Sequence, residues 1–171
     1  MKTYKQSTCE TCLASSLLLL LNVEPSQKRE LEILNHALKF SKRDFTIGHL
    51  DFVARKYNKR IITYVEDRKL VSTLKKLKFS KRIQIISKPV TLPLIKKLLY
   101  KPLIVYLDDF IFRKKFHYPH FVVIWSIDKN KFVITDPWDG KIKRVSFGFI
   151  EKGIDYLKNL LYFSPRLIQI E

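Results

Sequence analysis

The spacing of hydrophobic residues changes along the chain from a helical period to the pattern of β-strands. Residues 12–21 are rich in leucine, and residues 30–40 carry apolar side chains at intervals of three and four. Such intervals predict helices that bury one face. Late in the chain, residues 121–127 and 131–135 have the pattern of two strands, and residues 128–130 between them predict a tight turn.

The order of these elements predicts an α+β fold, with N-terminal helices packed on a mostly antiparallel sheet. The 171 residues fit one domain, 1–171, with a helical part at about 11–80 and a sheet part at about 82–171. Helices are predicted at 12–21, 30–40, 46–57, 69–77, 92–100 and within 147–161. Strands are predicted at 60–65, 82–86, 103–107, 121–127, 131–135, 142–145 and 166–170.

The chain is strongly basic, and the charge is concentrated in its middle third. The formal net charge is +17, and residues 61–120 hold 14 basic side chains against 4 acidic ones. This excess favours acidic or anionic partners. A lysine-rich solvated surface is the simpler explanation, and no recognised motif supports a nucleic-acid partner.

The sequence gives no reason to expect a membrane span or a disulfide framework. The leucine-rich stretch between Leu13 and Leu21 is about nine residues long, and a spanning helix needs about twenty. Two cysteines three residues apart, Cys9 and Cys12, are too few for a disulfide scaffold. We therefore expect a buried helix here and a cytoplasmic protein.

Cys12 and Gln6 are candidates for chemistry at the start of the first helix, which Thr11 is placed to cap. A thiol in the first helical turn feels the positive end of the helix dipole, which favours the thiolate. Gln6 lies six residues earlier, where its side-chain amide and the Cys12 backbone N–H could stabilise an oxyanion together. Each residue alone has a simpler interpretation, Cys12 as an inert buried thiol and Gln6 as a solvated amide.

His120 and Asp136 are the matching candidates in the second half of the chain. His120 begins one predicted strand and Asp136 ends the next, immediately before Pro137. If the two strands pair across the turn at 128–130, both residues come to the same end of one hairpin. A carboxylate that holds an imidazole is the orienting arrangement that a thiol nucleophile requires.

Together these residues resemble the bacteriocin-processing cysteine peptidases, which cleave double-glycine leaders and have a papain-like fold. The resemblance rests on Gln6 and Cys12, on the late segment His120-Phe-Val-Val, and on Asp136-Pro-Trp-Asp-Gly140. It implies Cys12 as nucleophile, His120 as general base, Asp136 as orienter and Gln6 as oxyanion donor, with no cofactor and a peptide or protein substrate. The chain resembles a free-standing peptidase domain without the transporter. Where the family usually has glycine after the cysteine, this chain has Leu13.

Several other interpretations stay open at this point. Cys9 and Cys12 have the spacing of a dithiol or half a metal site, and His117 with His120 could complete a Cys2His2 zinc set. A papain-like domain that binds without cleaving is the main alternative to an active peptidase. A basic nucleic-acid-binding domain is the less favoured one.

Overall fold

The computed structural model describes residues 1–21, 23–40 and 44–171. Within these residues, seven strands form one sheet, and helices cover both of its faces. The helices are α1 (Cys12–Leu20), α2 (Gln27–Phe40), α3 (Phe45–Lys56), α4 (Arg68–Leu74), α5 (Leu92–Leu98), α6 (Phe110–Arg113) and α7 (Phe147–Asn159). The strands are β1 (Ile61–Val65), β2 (Ile83–Ser87), β3 (Leu103–Asp108), β4 (Pro119–Asp128), β5 (Lys131–Asp136), β6 (Lys141–Ser146) and β7 (Arg166–Ile170).

The strands lie in the order β2-β1-β7-β3-β4-β5-β6. Every neighbouring pair is antiparallel except β1 and β2, which are parallel. The predicted α+β class and mostly antiparallel sheet are therefore confirmed. The parallel pair follows from α4, because a helix between two strands carries the chain back to the end where the first strand began. The last strand, β7, lies in the middle of the sheet between β1 and β3.

Two hydrophobic cores lie on opposite faces of the sheet. Helices α1 to α4 contribute to one core, and α5 to α7 contribute to the other. Strand β3 supplies both, since Ile104 belongs to the first core while Leu103 and Val105 belong to the second. This double burial explains why β3 is apolar without interruption.

Short polar side chains begin most of the helices. Asp44, Asp67 and Ser146 each accept a hydrogen bond from the backbone N–H three residues later, at the starts of α3, α4 and α7. Thr11 stands at the N-cap position of α1, as predicted, but its side chain makes no capping bond. The Thr11 hydroxyl instead donates to the carbonyl oxygen of Thr8 at 2.9 Å.

The sheet has one edge at which several strand ends meet. The antiparallel register pairs Leu107 of β3 with His120 at the start of β4. Asp136, at the end of β5, lies at the same edge, together with the starts of β6 and β7. Strands β2 and β6 lie at the two lateral ends of the sheet, and each pairs with one neighbour only among the described strands.

Candidate active site

His120 and Asp136 form a buried hydrogen-bonded pair at this edge. The Nε2 atom of His120 lies 2.9 Å from Oδ1 of Asp136, and the side chains are 1% and 0% exposed. The backbone N–H of Trp138 donates to the same oxygen at 3.0 Å. Because Nε2 faces Asp136, the imidazole nitrogen that remains for another partner is Nδ1.

The hairpin of β4 and β5 brings these two side chains together. Its turn consists of Lys129 and Asn130, both with positive φ, which matches the twist of a two-residue hairpin turn. A register shift between Ile124 and Ser126 absorbs one extra residue in β4. With this bulge Thr135 pairs with Val123, so Asp136 lies opposite Val122, and His120 lies two residues further along β4 on the same face. The expected closeness of the two residues agrees with the structure.

Cys12 is the first residue of α1, and the helix is fixed to the strand that carries His120. The hydroxyl of Ser16, one turn after Cys12, donates to the carbonyl oxygen of Phe121 at 3.3 Å. The first N–H groups of a helix have no intrahelical acceptor, so the backbone at Cys12 offers donors. Cys12 is 7% exposed. The side chain of Leu13 is buried in the core on the α1 face.

The protonation of His120 reflects both of its polar neighbours. Burial lowers the pKa of His120, but hydrogen bonds to Asp136 and Cys12, together with their negative charge, outweigh burial, and the pKa is raised. The Cys12 side chain therefore lies close to the imidazole of His120. The structure thus brings Cys12, His120 and Asp136 together at one edge of the sheet.

Asp136 also binds two cations through its other oxygen. The guanidinium of Arg113 donates to Oδ2 at 2.9 Å, and the ammonium of Lys143 donates to the same atom at 2.6 Å. Burial raises the pKa of Asp136, but the bonds from His120 and Lys143 and the charge of Arg113 bring it well below its usual value. The carboxylate is therefore ionised throughout the neutral range.

Gln6 lies on the segment before α1, residues 1–11, which we call the N-terminal arm and which runs along the turn after β5. The backbone N–H of Gln6 donates to the carbonyl oxygen of Pro137 at 2.7 Å, next to Asp136. Its side-chain Nε2 donates one hydrogen to the carbonyl oxygen of Thr8 at 2.7 Å. An amide nitrogen carries two hydrogens, so one remains for another acceptor. Oε1 of Gln6 is buried and lacks a hydrogen-bond partner among the described residues.

Glu30 of α2 connects this arm to α1, and the sequence pattern gave no sign of it. Its fully buried carboxylate accepts from the backbone N–H of Ser7 at 2.9 Å and from the hydroxyl of Tyr4 at 2.8 Å. It also accepts from the hydroxyl of Ser15 at 2.7 Å. One carboxylate thereby fixes the residue after Gln6 to the helix that begins at Cys12.

The two cations on Asp136 were also missed, for different reasons. Lys143 pairs in register with Ile134, and alternation along β5 puts Ile134 and Asp136 on one face. The sequence Asp139-Gly140 is a common hairpin turn, and it is the signal that could have placed β6 beside β5 and Lys143 near Asp136. Arg113 belongs to α6, a single helical turn that the apolar pattern did not reveal.

Cys9 and His117, which the sequence also offered as candidates, lie in different surroundings from Cys12 and His120. Cys9 is exposed on the loop before α1. His117 binds the buried carboxylate of Asp108 through Nδ1 at 2.6 Å. Across the described ranges, no group of three or more His, Cys, Asp or Glu side chains is arranged to hold a metal ion.

A solved structure of the same architecture is the peptidase domain of Streptococcus ComA, a bi-functional ABC transporter involved in a quorum-sensing pathway. The TM-score is 0.54 at 15% identity, over 99% of this chain and 96% of that one. The Pseudomonas avirulence protein AvrPphB resembles the chain more weakly, with a TM-score of 0.45 at 13% identity over 100% and 96%. The fold is that of the papain-like cysteine peptidases, as predicted.

Residues 1–152 match the model of the peptidase C39 family, and the chain belongs to this family. The protein is therefore a cysteine peptidase, which confirms the class expected from the sequence. No curated protein sequence matches the chain significantly. None of the helices in the described part of the chain is long and apolar enough to cross a membrane.

Proposed function

We propose that this protein hydrolyses peptide bonds with Cys12 as nucleophile, His120 as general acid and base, and Asp136 as orienter. The observation that carries the proposal is the position of Cys12 at the start of α1, beside a buried His120–Asp136 pair. Nε2 of His120 is bound to Asp136, so Nδ1 is free to exchange a proton with the thiol.

In this mechanism the Cys12 thiolate attacks the carbonyl carbon of the scissile bond. The resulting oxyanion accepts hydrogen bonds from the Cys12 backbone N–H and from the second amide hydrogen of Gln6. His120 protonates the leaving amine, and an acyl-enzyme remains on the sulfur. His120 then takes a proton from water, which attacks the acyl-enzyme and releases the acid product and the thiolate.

The substrate in this proposal is a peptide or protein, and the basic surface favours an acidic one. The net charge of +17 supports attraction of acidic chains over the distance of a Debye length. The cytoplasmic location and the single-domain division of the chain into helical and sheet parts remain predictions.

The test is competition between the two thiols of the chain for an epoxide probe of cysteine peptidases. Cys9 is exposed and Cys12 is buried, so accessibility alone would favour Cys9. We expect the probe to label Cys12 faster, as read by peptide mass mapping, because only Cys12 lies beside His120. We also expect Cys12→Ala to lower kcat/KM by at least about 1,000-fold, with Cys9→Ser as the matched control.

Labelling of Cys9 ahead of Cys12, together with hydrolysis that survives in Cys12→Ala, would overturn the proposal. Selective labelling of Cys12 without cleavage of any peptide in a diverse library would favour the alternative, a papain-like domain that binds without cleaving.

A further inference from the structure

The carboxylate of Asp136 divides its contacts between its two oxygens. Oδ1 receives the His120 imidazole at 2.9 Å and the Trp138 N–H at 3.0 Å. Oδ2 receives Arg113 at 2.9 Å and Lys143 at 2.6 Å. The orienting group of the site is thus bound by two cations on the side that faces away from the histidine.

We propose that Arg113 and Lys143 are positioning residues that fix the carboxylate of Asp136 and restrain its pull on the His120 proton. The roles assigned to His120 and Asp136 come from the proposed function, on which this inference rests. Both cations bind Oδ2 of Asp136, so both act on His120 through Asp136.

The two cations come from different elements, and each is held by a second contact. Arg113 of α6 forms an ion pair with Asp109 and lies 4.8 Å from the ring centre of Trp138. The Arg113 side chain is 20% exposed. A carboxylate bonded on both oxygens cannot rotate without breaking a charge-assisted hydrogen bond, so Oδ1 stays directed at His120.

Lys143 of β6 is held in a similar way on the other side of the carboxylate. Its ammonium lies 3.0 Å from Asp139, in the turn before β6, and 5.1 Å from the ring centre of Phe112. The Lys143 side chain is 28% exposed. It is therefore the cation that can be replaced with less disturbance to packing.

The charges around Asp136 act in opposite directions on the protonation of His120. The Asp136 carboxylate and the Cys12 sulfur favour the imidazolium, whereas Arg113 and Lys143 disfavour it. Asp109 and Asp139 lie beyond the cations and partly offset them. A general acid and base works best when it gains and loses its proton near the working pH, and the two cations oppose an imidazolium that holds its proton too firmly.

The test follows the titration of His120 by NMR in the full chain, which is practical because the chain has four histidines. A His120→Asn spectrum assigns the signal. Lys143→Met removes the cation that lies nearer to Oδ2 of Asp136. It is expected to move the midpoint of the His120 signal to higher pH by roughly half a unit to one unit. Lys143→Arg, which keeps the charge, is expected to leave the midpoint near that of the native protein.

Lys131→Met is the matched control, because it removes one exposed positive charge at the opposite end of β5 from Asp136. It should leave the His120 midpoint unchanged. A purely structural role for Lys143 would lower stability without raising the midpoint. An unchanged midpoint in Lys143→Met, or a midpoint moved to lower pH, would overturn the inference.

A second measurement covers the case in which Lys143→Met fails to fold. Lys143→Gln keeps a polar side chain at this half-buried position and should raise the midpoint in the same direction. In the active enzyme, the alkaline limb of the kcat/KM profile should move upward with the midpoint. If Cys12→Ala retains full hydrolysis, the proposed function fails, while the His120 titration still decides the inference about the cations.

Discussion

The carboxylate of Glu30 accepts a 2.7 Å hydrogen bond from the hydroxyl of Ser15, three residues after Cys12. The same carboxylate accepts from the backbone N–H of Ser7, the residue after Gln6. A single buried acid on α2 thus sets the position of two segments that meet at the candidate site. Its charge is balanced by hydrogen bonds, as a buried carboxylate requires.

Replacing Glu30 should therefore affect both stability and activity. Glu30→Gln keeps the shape but turns one acceptor oxygen into a donor that faces other donors. We expect the free energy of unfolding to fall by about 1–3 kcal/mol, and kcat/KM to fall because the arm that carries Gln6 loses its anchor. Urea unfolding and peptide hydrolysis check the two effects.

The control for this change is Glu32→Gln on the same helix. The Glu32 side chain is 36% exposed and pairs with Lys56 at the surface, so its replacement should lower the free energy of unfolding far less than that of Glu30. Equal effects of the two changes would contradict a special role for Glu30.

Gly140 allows the N-terminal arm to pass close to the turn after β5. Its φ is +69°, and a Cβ atom there would lie 3.0 Å from the backbone nitrogen of Lys5. Gly140→Ala should lower the free energy of unfolding by about 1–2 kcal/mol from the left-handed backbone alone. It should also reduce kcat/KM because Lys5 precedes Gln6.

Gly148→Ala is the matched control, since an added Cβ at Gly148 meets no atom within 4 Å. Gly148 lies in α7, where alanine should stabilise the helix by up to about 1 kcal/mol. The melting temperature should thus fall in Gly140→Ala and rise in Gly148→Ala. A Gly140→Ala variant as stable and active as the native protein would show that Gly140 is not needed where the N-terminal arm passes the turn.

His49 should make the protein less stable in mild acid. Burial lowers the pKa of His49 to about 4, against the raising effects of its bond to the Phe45 carbonyl and of Asp44. Below pH 6.5 the unfolded chain binds a proton at His49 that the folded chain does not bind. The stability that His49 contributes above pH 6.5 is therefore lost as the pH falls towards 4, by up to about 3 kcal/mol.

Urea unfolding of the native protein and of His49→Leu between pH 7 and pH 4 isolates this contribution. The carboxylates titrate in both proteins, so the difference between the two curves reports His49. Parallel curves would show that the histidine is protonated in the folded state as readily as in the unfolded one.

Acidic peptides should be better substrates at low salt than neutral peptides of the same length. Lys114, Lys115 and Lys141 are exposed on the segments next to the edge of the sheet that carries His120 and Asp136. Raising the salt from about 0.05 M to about 0.5 M shortens the Debye length and should raise KM for an acidic peptide. A neutral peptide should show little change, and equal salt dependence for both would argue against electrostatic selection.

The sequence could predict the hairpin that joins His120 and Asp136, because both strands are apolar and the turn residues between them are distinctive. It could also predict Cys12 at a helix start, since a leucine-rich segment follows directly. Such signals are local. Each lies within about twenty residues, which is the range over which periodicity and turn chemistry act.

The sequence could not predict contacts that depend on tertiary packing. Glu30 is one of 16 acidic residues, and nothing in its own segment marks it as the buried one. The central position of β7 follows from its pairing with β1 and β3, which begin 105 and 63 residues earlier in the chain, and from no feature of its own five residues. Arg113 was missed because a four-residue helix is too short to show a period.

Basic side chains are concentrated at β2 and β6, the two lateral strands of the sheet, where they have a second consequence. Lys81, Arg82 and Lys88 flank β2, and Lys141, Lys143 and Arg144 lie on β6. Two molecules that met through either of these strands would bring basic side chains close together. Growth of the sheet from one molecule into the next is thereby opposed, so the basic side chains at these two strands protect a β-rich chain against self-association.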